Sequence, residues 1–397
     1  MPQLSDRLNR LAPSATLAMS QKSNEMKAQG IDVINMSVGE PDFMTPDHIK
    51  EAGKKAIDEN YSKYSPVPGY MDLRKAISEK LAKENHLTYA PQETIVGTGG
   101  KQGVCNAILA LVNPGDEVII PAPYWVSYPQ MVKLAGGTPV TLRTPLSNDF
   151  KLTPDQLEAA ITPKTKMLIL CSPSNPTGSV YTQDELNALA KVVLAHDDLF
   201  VLSDEIYEHI NYVGFSASIA AYPGMKERTI ICNGVSKAYA MTGWRLGWVA
   251  APEWIIKGMN KLQGQYTSGT CDVSQRAAFA AYTSPQDCVE EMRKAFERRR
   301  DLIVSLAREI PGLEVNVPQG AFYLFPFCSS FFGKKYGDYV INTSTDFALY
   351  LLQEAHVATV AGDAFGEPDG FRMSYATSDD NIREALRRIK EACAKLK

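Results

Sequence analysis

Four short stretches of this 397-residue chain constrain its fold more than anything else in it. They are residues 117–121 (E-V-I-I-P), 166–171 (K-M-L-I-L-C), 199–203 (L-F-V-L-S) and 229–232 (T-I-I-C). Each is apolar on both faces and ends at a turn-like cluster. A strand with one face in water alternates apolar and polar residues. A strand that is apolar throughout is buried on both sides, as in a parallel sheet covered by helices. Amphipathic helical patterns at 104–112 and 182–196 fall among these runs, so the spacing predicts a two-sided α/β sheet. Ligands of such a sheet are expected beyond the carboxyl ends of its strands.

The last third reads differently. A charged amphipathic stretch covers 289–309, followed by a β-like segment at 313–317 and an apolar segment at 321–327. A C-terminal helix is predicted over 379–397. Together these suggest a second, smaller α+β unit. Residues 331–345, rich in Gly, Tyr, Ser and Asn, read as a loop or insertion. The triplet Arg298, Arg299 and Arg300 reads as the solvated face of the helix bridging the two units.

Charge and cysteine usage narrow the class. Lys and Arg number 41 against 45 Asp and Glu, a net charge of −4, without the basic excess of a nucleic-acid binder. Seven scattered cysteines with no C-x-x-C pair argue against a disulfide framework and for a reducing cytoplasm. The five histidines form no metal-ligand spacing, so no metal site is expected. No apolar run reaches the ~18 residues of a membrane span, and no signal core precedes the first helix pattern.

The chemistry-bearing residues cluster after the predicted strands. Lys237 follows 229–232 in N-G-V-S-K-A-Y-A-M-T-G-W-R-L-G-W. An amine in such a small-residue, apolar setting loses its charge readily and becomes a nucleophile, as a Schiff-base lysine must. Arg245, between Gly243 and Gly247, adds a fixed cation suited to phosphate. Read from residue types alone, a loop lysine with a structural arginine is an equally open reading. Asp204 ends the strand 199–203 and could pair with a heterocyclic ring nitrogen, with Tyr207 donating to a ring oxygen; a helix cap is the alternative. The turn S-P-S-N-P-T-G at 172–178 would aim Asn175 at the same edge, or be a turn only. The run G-T-G-G-K-Q-G at 97–103 opens a helix and can cradle phosphate. It fits neither the P-loop pattern nor G-x-G-x-x-G, since Gln102 stands where the third glycine belongs. Trp125, in P-A-P-Y-W-V-S-Y, could stack on a flat ring or simply pack. Arg372, in F-R-M-S-Y-A, could grip a carboxylate through two parallel hydrogen bonds or form a salt bridge. Taken together, an amine, a carboxylate, two oxygen donors, a stacking ring, a phosphate cup and a carboxylate clamp match the needs of pyridoxal 5'-phosphate.

At these residues the sequence resembles the class I aminotransferases of the fold-type I pyridoxal-phosphate enzymes, nearest to the prokaryotic subgroup of aspartate aminotransferases. The resemblance runs from 13–16 (P-S-A-T) to the C-terminal helix and includes S-V-G-E-P-D-F at 37–43 and S-D-E-I-Y-E at 203–208. It implies a large cofactor-binding domain at 46–290 and a small domain made of 1–45 and 291–397. It implies Lys237 as Schiff base and proton shuttle, Asp204 on the pyridine nitrogen, Asn175 and Tyr207 on the ring hydroxyl, and Trp125 stacked on the ring. Gly100, Lys101, Gln102, Ser236 and Arg245 would surround the phosphate. Tyr64, in S-K-Y-S-P, would reach a phosphate across the interface of a homodimer with a shared active site. Arg372, Gly39, Trp125 and Asn175 would meet the substrate. One departure stands out: Gly234 occupies a position where many members carry a phosphate-binding Ser.

Substrate choice rests on fewer residues. Some members clamp a distal carboxylate with an arginine from the partner subunit, but the corresponding stretch 265–275 holds no arginine. The prokaryotic subgroup uses positions matching Ser14, Thr16 and Lys101 instead. Ser14 and Thr16 could equally cap a helix. The leading expectation is amino transfer from L-aspartate to 2-oxoglutarate by a ping-pong cycle. Members preferring aromatic amino acids, alanine or prephenate, and a pyridoxal-phosphate lyase, share the same cofactor residues. A nicotinamide dehydrogenase is disfavoured by the missing glycine, and a DNA-binding regulator by the lack of room before Ser14.

Overall fold

A computed structural model describes residues 4–214 and 216–397. Its centre is a seven-stranded sheet, which we number in chain order: β1 (Thr94–Gly97), β2 (Glu117–Ala122), β3 (Thr138–Arg143), β4 (Thr165–Cys171), β5 (Phe200–Asp204), β6 (Thr229–Gly234) and β7 (Gly247–Ala250). Their spatial order is β1-β7-β6-β5-β4-β2-β3. The four apolar runs form β2, β4, β5 and β6, which run parallel. β7 is antiparallel to both β6 and β1. It returns directly from the end of β6, with no crossover helix to turn it parallel.

Strand periodicity sorts the apolar side chains onto the two faces of the sheet. Val118, Ile120, Met167, Ile169 and Leu202 face Val104 and Ile108 of the helix Gly100–Leu111. Their neighbours Ile119, Leu168, Leu170 and Val201 face Leu189 and Val193 of the helix Gln183–Leu194. Both faces are therefore dry, which is why these strands carry no polar alternation. The helix Gln183–Leu194 starts at a capping box, in which Thr182 accepts from the Glu185 N–H and the Glu185 carboxylate accepts from the Thr182 N–H.

A second core gathers the long helix Asp287–Arg308, the helices Ser344–Glu354 and Asp379–Lys395, and a small antiparallel sheet of Tyr323–Leu324, Val360–Ala361 and Phe371–Ser374. The N-terminal segment belongs to this packing: Ile34–Asn35 pairs in parallel with Val357–Ala358, and Ile34 and Met36 are buried in the same core.

Three expectations need correction. Residues 313–317 form no strand; they make only an isolated bridge, Glu314 to Phe327. Residues 331–345 are more than a loop: Lys335–Tyr336 and Tyr339–Val340 form a short hairpin, and the helix Ser344–Glu354 begins inside the range. Phe331 anchors the segment by stacking on Phe347 at 5.1 Å. The arginine triplet is not uniformly solvated, because successive helical residues point about 100° apart. Arg298 is exposed beside Asp379. Arg299 is buried and grips both oxygens of Asp42 at 2.7 and 2.9 Å. Arg300 donates to the Pro318 carbonyl at 2.6 Å and covers the Tyr212 ring.

Candidate active site

A cavity of about 330 Å³ opens at the carboxyl edge of the central sheet. It collects Asp204 from the end of β5, Cys171 from the end of β4 and Asn175 from beyond it, Trp125 and Tyr128 from beyond β2, and Ser236, Lys237 and Arg245 from the connection between β6 and β7. The second core contributes Tyr323 and Arg372, and the N-terminal segment contributes Ser14, Thr16, Gly39 and Glu40.

Lys237 hangs from a turn just past β6, closed by a hydrogen bond from the Met241 N–H to the Ser236 carbonyl. Its ammonium donates to the Gly39 carbonyl and lies 5.7 Å over the Tyr207 ring. Burial pulls its pKa down to about 8; Arg372 and Arg245 push the same way, against Glu40 and Asp204. Near neutrality this amine is therefore still mostly protonated, but its neutral form is far more abundant than that of an ordinary lysine. Asp204 is buried, accepting from the Tyr128 hydroxyl at 2.7 Å and from the Ile206 N–H at 3.3 Å. Burial raises its pKa, while those two donors and Lys237 oppose the rise.

The Tyr207 hydroxyl shares a 2.7 Å hydrogen bond with that of Tyr323. Arg372 is almost wholly buried; it donates to Asn175 Oδ1 at 2.9 Å and to the Ser37 carbonyl at 2.6 Å. Its Nε has no partner among the described residues. A buried guanidinium with a spare N–H is a site for an arriving carboxylate. Faces of Tyr323 and Phe365 sandwich it at 4.5 and 5.0 Å.

The glycine-rich turn brings main chain together where side chains would not fit. Gly247 lies so close to the start of the helix Gly100–Leu111 that a Cβ there would fall 2.2 Å from the Gly100 nitrogen. Gly99, at φ 79°, leaves room for Arg245, whose Nη2 would sit 2.8 Å from a Cβ at that position. The first N–H groups of that helix have no acceptor within it, so helix end and guanidinium face one pocket wall. Gly234 has its own reason: a Cβ would stand 2.7 Å from the Gly247 Cα. The close β6–β7 pairing thus excludes a serine at Gly234.

Not every expected residue meets the cavity. Ser14 lines it and also caps the helix Ala15–Ala28, accepting from the Leu17 N–H at 3.5 Å; Thr16 lines it from the first turn of that helix. Lys101 reaches in with its ammonium 5.1 Å over the Trp125 ring. The Gln102 side chain turns away, accepting from the Thr98 N–H at 2.6 Å and donating to Thr267 at 2.8 Å. Tyr64 is fully exposed, 100% accessible, beside residues 269–272 and outside the cavity. Tyr128 and Tyr323 were not singled out by sequence reasoning. Tyr128 carried a signal, lying one helical turn after Trp125; Tyr323 is one hydroxyl inside an apolar run and carried none.

The absence of an arginine in 265–275 is not made good by the next residue. Arg276 grips both oxygens of Asp72 at 2.6 Å and lies over Tyr70. Elsewhere Glu84, Glu208 and His209 stand close enough to share a cation, but the Lys80 ammonium already sits on Glu208.

The chain matches the family model "Aminotransferase class I and II" over residues 31–389. It is 51% identical to the aspartate/prephenate aminotransferase of Cereibacter sphaeroides, with 100% of both chains covered. It is 49% identical to the aspartate aminotransferase of Geobacillus stearothermophilus, covering 98% of each. Among solved structures, the aspartate aminotransferase of Rhizobium meliloti superposes with a TM-score of 0.96 at 45% identity, with 100% of both chains covered. The Thermus thermophilus aspartate aminotransferase with maleate gives 0.93 at 41%, covering 99% of this chain and 100% of that one.

Proposed function

The chain belongs to the class I and II aminotransferases, and from that membership we propose that it binds pyridoxal 5'-phosphate and transfers the amino group of L-aspartate to 2-oxoglutarate. The observation that carries this reading is the pairing across one cavity of an amine at about pKa 8, Lys237, with a buried carboxylate, Asp204, and a spare guanidinium N–H on Arg372. The donor set fits the cofactor: a carboxylate for the ring nitrogen, phenol and amide for the ring oxygen, an indole to stack, and a helix end with Arg245 for phosphate. When bound, pyridoxal phosphate supplies a carbonyl that takes the amino group and a ring that withdraws electrons from the substrate α-carbon.

The chain's own residues do the rest. Arg372 holds the α-carboxylate, and its bonds to Asn175 and Ser37 fix its plane. Lys237 would hold the cofactor through Nζ, and the same atom would carry the proton between the substrate α-carbon and the carbon of the cofactor that receives the amino group. Asp204 keeps a negative charge opposite that proton transfer. Trp125 excludes water from one face of the ring. Lys101, with Ser14 and Thr16, pairs with the distal carboxylate of a dicarboxylic substrate. The maleate, a dicarboxylate, in the Thermus thermophilus structure supports that class.

We further infer a homodimer, in which Tyr64, exposed in the single chain, reaches the partner's phosphate site. The units 46–290 and 1–45 with 291–397 would then close on substrate, in a cytoplasm that keeps all seven cysteines as thiols. A second reading, prephenate as an amino acceptor, is favoured by the Cereibacter sphaeroides relative. The visible spectrum of the cofactor-loaded protein tests both. L-Aspartate alone should bleach the yellow band, and 2-oxoglutarate should restore it. Restoration by prephenate at a comparable rate would support the second activity. A band that aspartate leaves unchanged would exclude it as donor, and product analysis would then separate other donors from a lyase.

A further inference from the structure

The segment after β2 supplies more than the stacking indole. Trp125 and Tyr128 are one turn apart, their rings edge to face at 5.2 Å and 87°. Tyr128 begins the helix Tyr128–Ala135 and is 2% exposed. That geometry sends its hydroxyl beneath the cavity floor to Asp204 Oδ2, 2.7 Å away. The other carboxylate oxygen, Oδ1, takes only the Ile206 N–H at 3.3 Å among the described residues. Asp204 therefore has one strong side-chain donor.

We propose that Tyr128 is the positioning residue for Asp204: its hydroxyl fixes the carboxylate plane and keeps it charged toward the cofactor's ring nitrogen. This rests on the pyridoxal-phosphate reading above. The physical argument concerns an unaided carboxylate. Asp204 is closed in by β4, β6 and the helix Tyr128–Ala135, and the groups facing it are few. They are the Cys171 thiol from β4, the Cys232 thiol from β6, the Lys237 amine and the Tyr128 phenol. Burial favours its neutral form, and Lys237 is a weakening counter-charge once its amine is unprotonated. Burial and Asp204 together hold the Tyr128 hydroxyl well above its ordinary pKa. The phenol thus stays a donor across the working pH range. A hydrogen bond to a charged acceptor favours the charged form and restricts its rotation. One three-residue spacing, Trp125 to Tyr128, therefore couples the ring's stacking face to its nitrogen partner.

The test compares two cofactors on the intact protein. One is pyridoxal phosphate; the other is its analogue with a carbon in place of the ring nitrogen. Binding of each is followed by absorbance for the wild type, Tyr128→Phe and Tyr128→His. We expect Tyr128→Phe to reduce the preference for the natural cofactor by roughly tenfold, the loss of one charge-assisted hydrogen bond, while Tyr128→His, which keeps a donor, retains most of it. With the natural cofactor, kcat should fall about tenfold for Tyr128→Phe with KM for aspartate nearly unchanged, and the acid limb of the pH profile should move to higher pH. Should Tyr128→Phe fail to fold, Tyr128→His and Tyr128→Met carry the same comparison. Equal weakening of both cofactors, or an unchanged preference, would overturn the proposal and leave Tyr128 a packing residue. Wild-type protein that binds neither cofactor would overturn the parent reading, and this one with it.

Discussion

The two sides of the cavity are built differently. The sheet side gives Asp204, Asn175, Tyr207 and Lys237, each within a few residues of the end of a buried parallel strand. These groups are held by dry cores on both faces. The opposite side gives Arg372 and Tyr323 from a small sheet, and Ser14, Thr16 and Gly39 from the N-terminal segment. There the polar groups rest on one another: Arg372 on Asn175 and Ser37, Tyr323 on Tyr207, Lys237 on Gly39. On the proposed reading, the reactive groups thus sit where both faces of the sheet are packed, and the recognition groups on a part joined to it by hydrogen bonds that substrate can replace. A rigid frame suits proton transfer, which fails with small displacements. A replaceable hydrogen-bond set suits binding.

Substitutions on each side should fail in distinct ways, and the largest effect belongs to the sheet side. Lys237→Ala is expected to lower kcat by ~10⁴-fold or more, because nucleophile and proton carrier are one atom. Single-turnover absorbance with aspartate checks it, and a near-normal rate would break the assignment. Across the cavity, Arg372→Leu should cost about 10³-fold in kcat/KM, mostly as a raised KM. A pure kcat loss would put Arg372 with the reactive groups instead. Lys101→Met should reduce turnover of aspartate by roughly 10–100-fold, the worth of a charged hydrogen bond, and that of alanine much less. Equal losses on both would remove Lys101 from distal recognition.

The smallest effect ties the two sides together. The Lys237 amine stands at about 8, held down by burial first and by Arg372 and Arg245 beyond that. Its neutral form grows as pH rises. The rate at which apoprotein takes up pyridoxal phosphate should therefore climb through about pH 8 and level off above it. Arg372→Leu removes a repelling cation, so the midpoint should move to higher pH. An unmoved midpoint would show the two sides to be electrostatically independent.

Much of this was legible in the chain. The runs at 117–121, 166–171, 199–203 and 229–232 became β2, β4, β5 and β6 because residues apolar on both faces have only a two-sided sheet to enter. Lys237, Asp204 and Asn175 were legible because they follow those runs directly. Other features were not. β1, β3 and β7 carry weaker patterns: β3 is largely half-exposed, and β7 is short and begins with glycine. The two-residue strands of the second core are too brief for any period to show. The resemblance placed Gln102 at the phosphate cup; only the fold shows that its side chain bonds Thr98 and Thr267. Arg299 looked like surface because it sits in a charged run, and burial with Asp42 was a matter of helix azimuth.

The sequence by itself determined the parallel sheet, the position of its ligand edge and the residue types gathered there, since all three follow from local periodicity and from what stands after each strand. Only the tertiary structure decided which of those groups touch. Tyr128 on Asp204, Tyr323 on Tyr207 and Arg372 on Asn175 join residues 76, 116 and 197 positions apart. No local pattern encodes such pairs; the first exists because the strand order of the sheet brings the end of β2 near that of β5, the other two because the elements that carry Tyr323 and Arg372 pack against that edge.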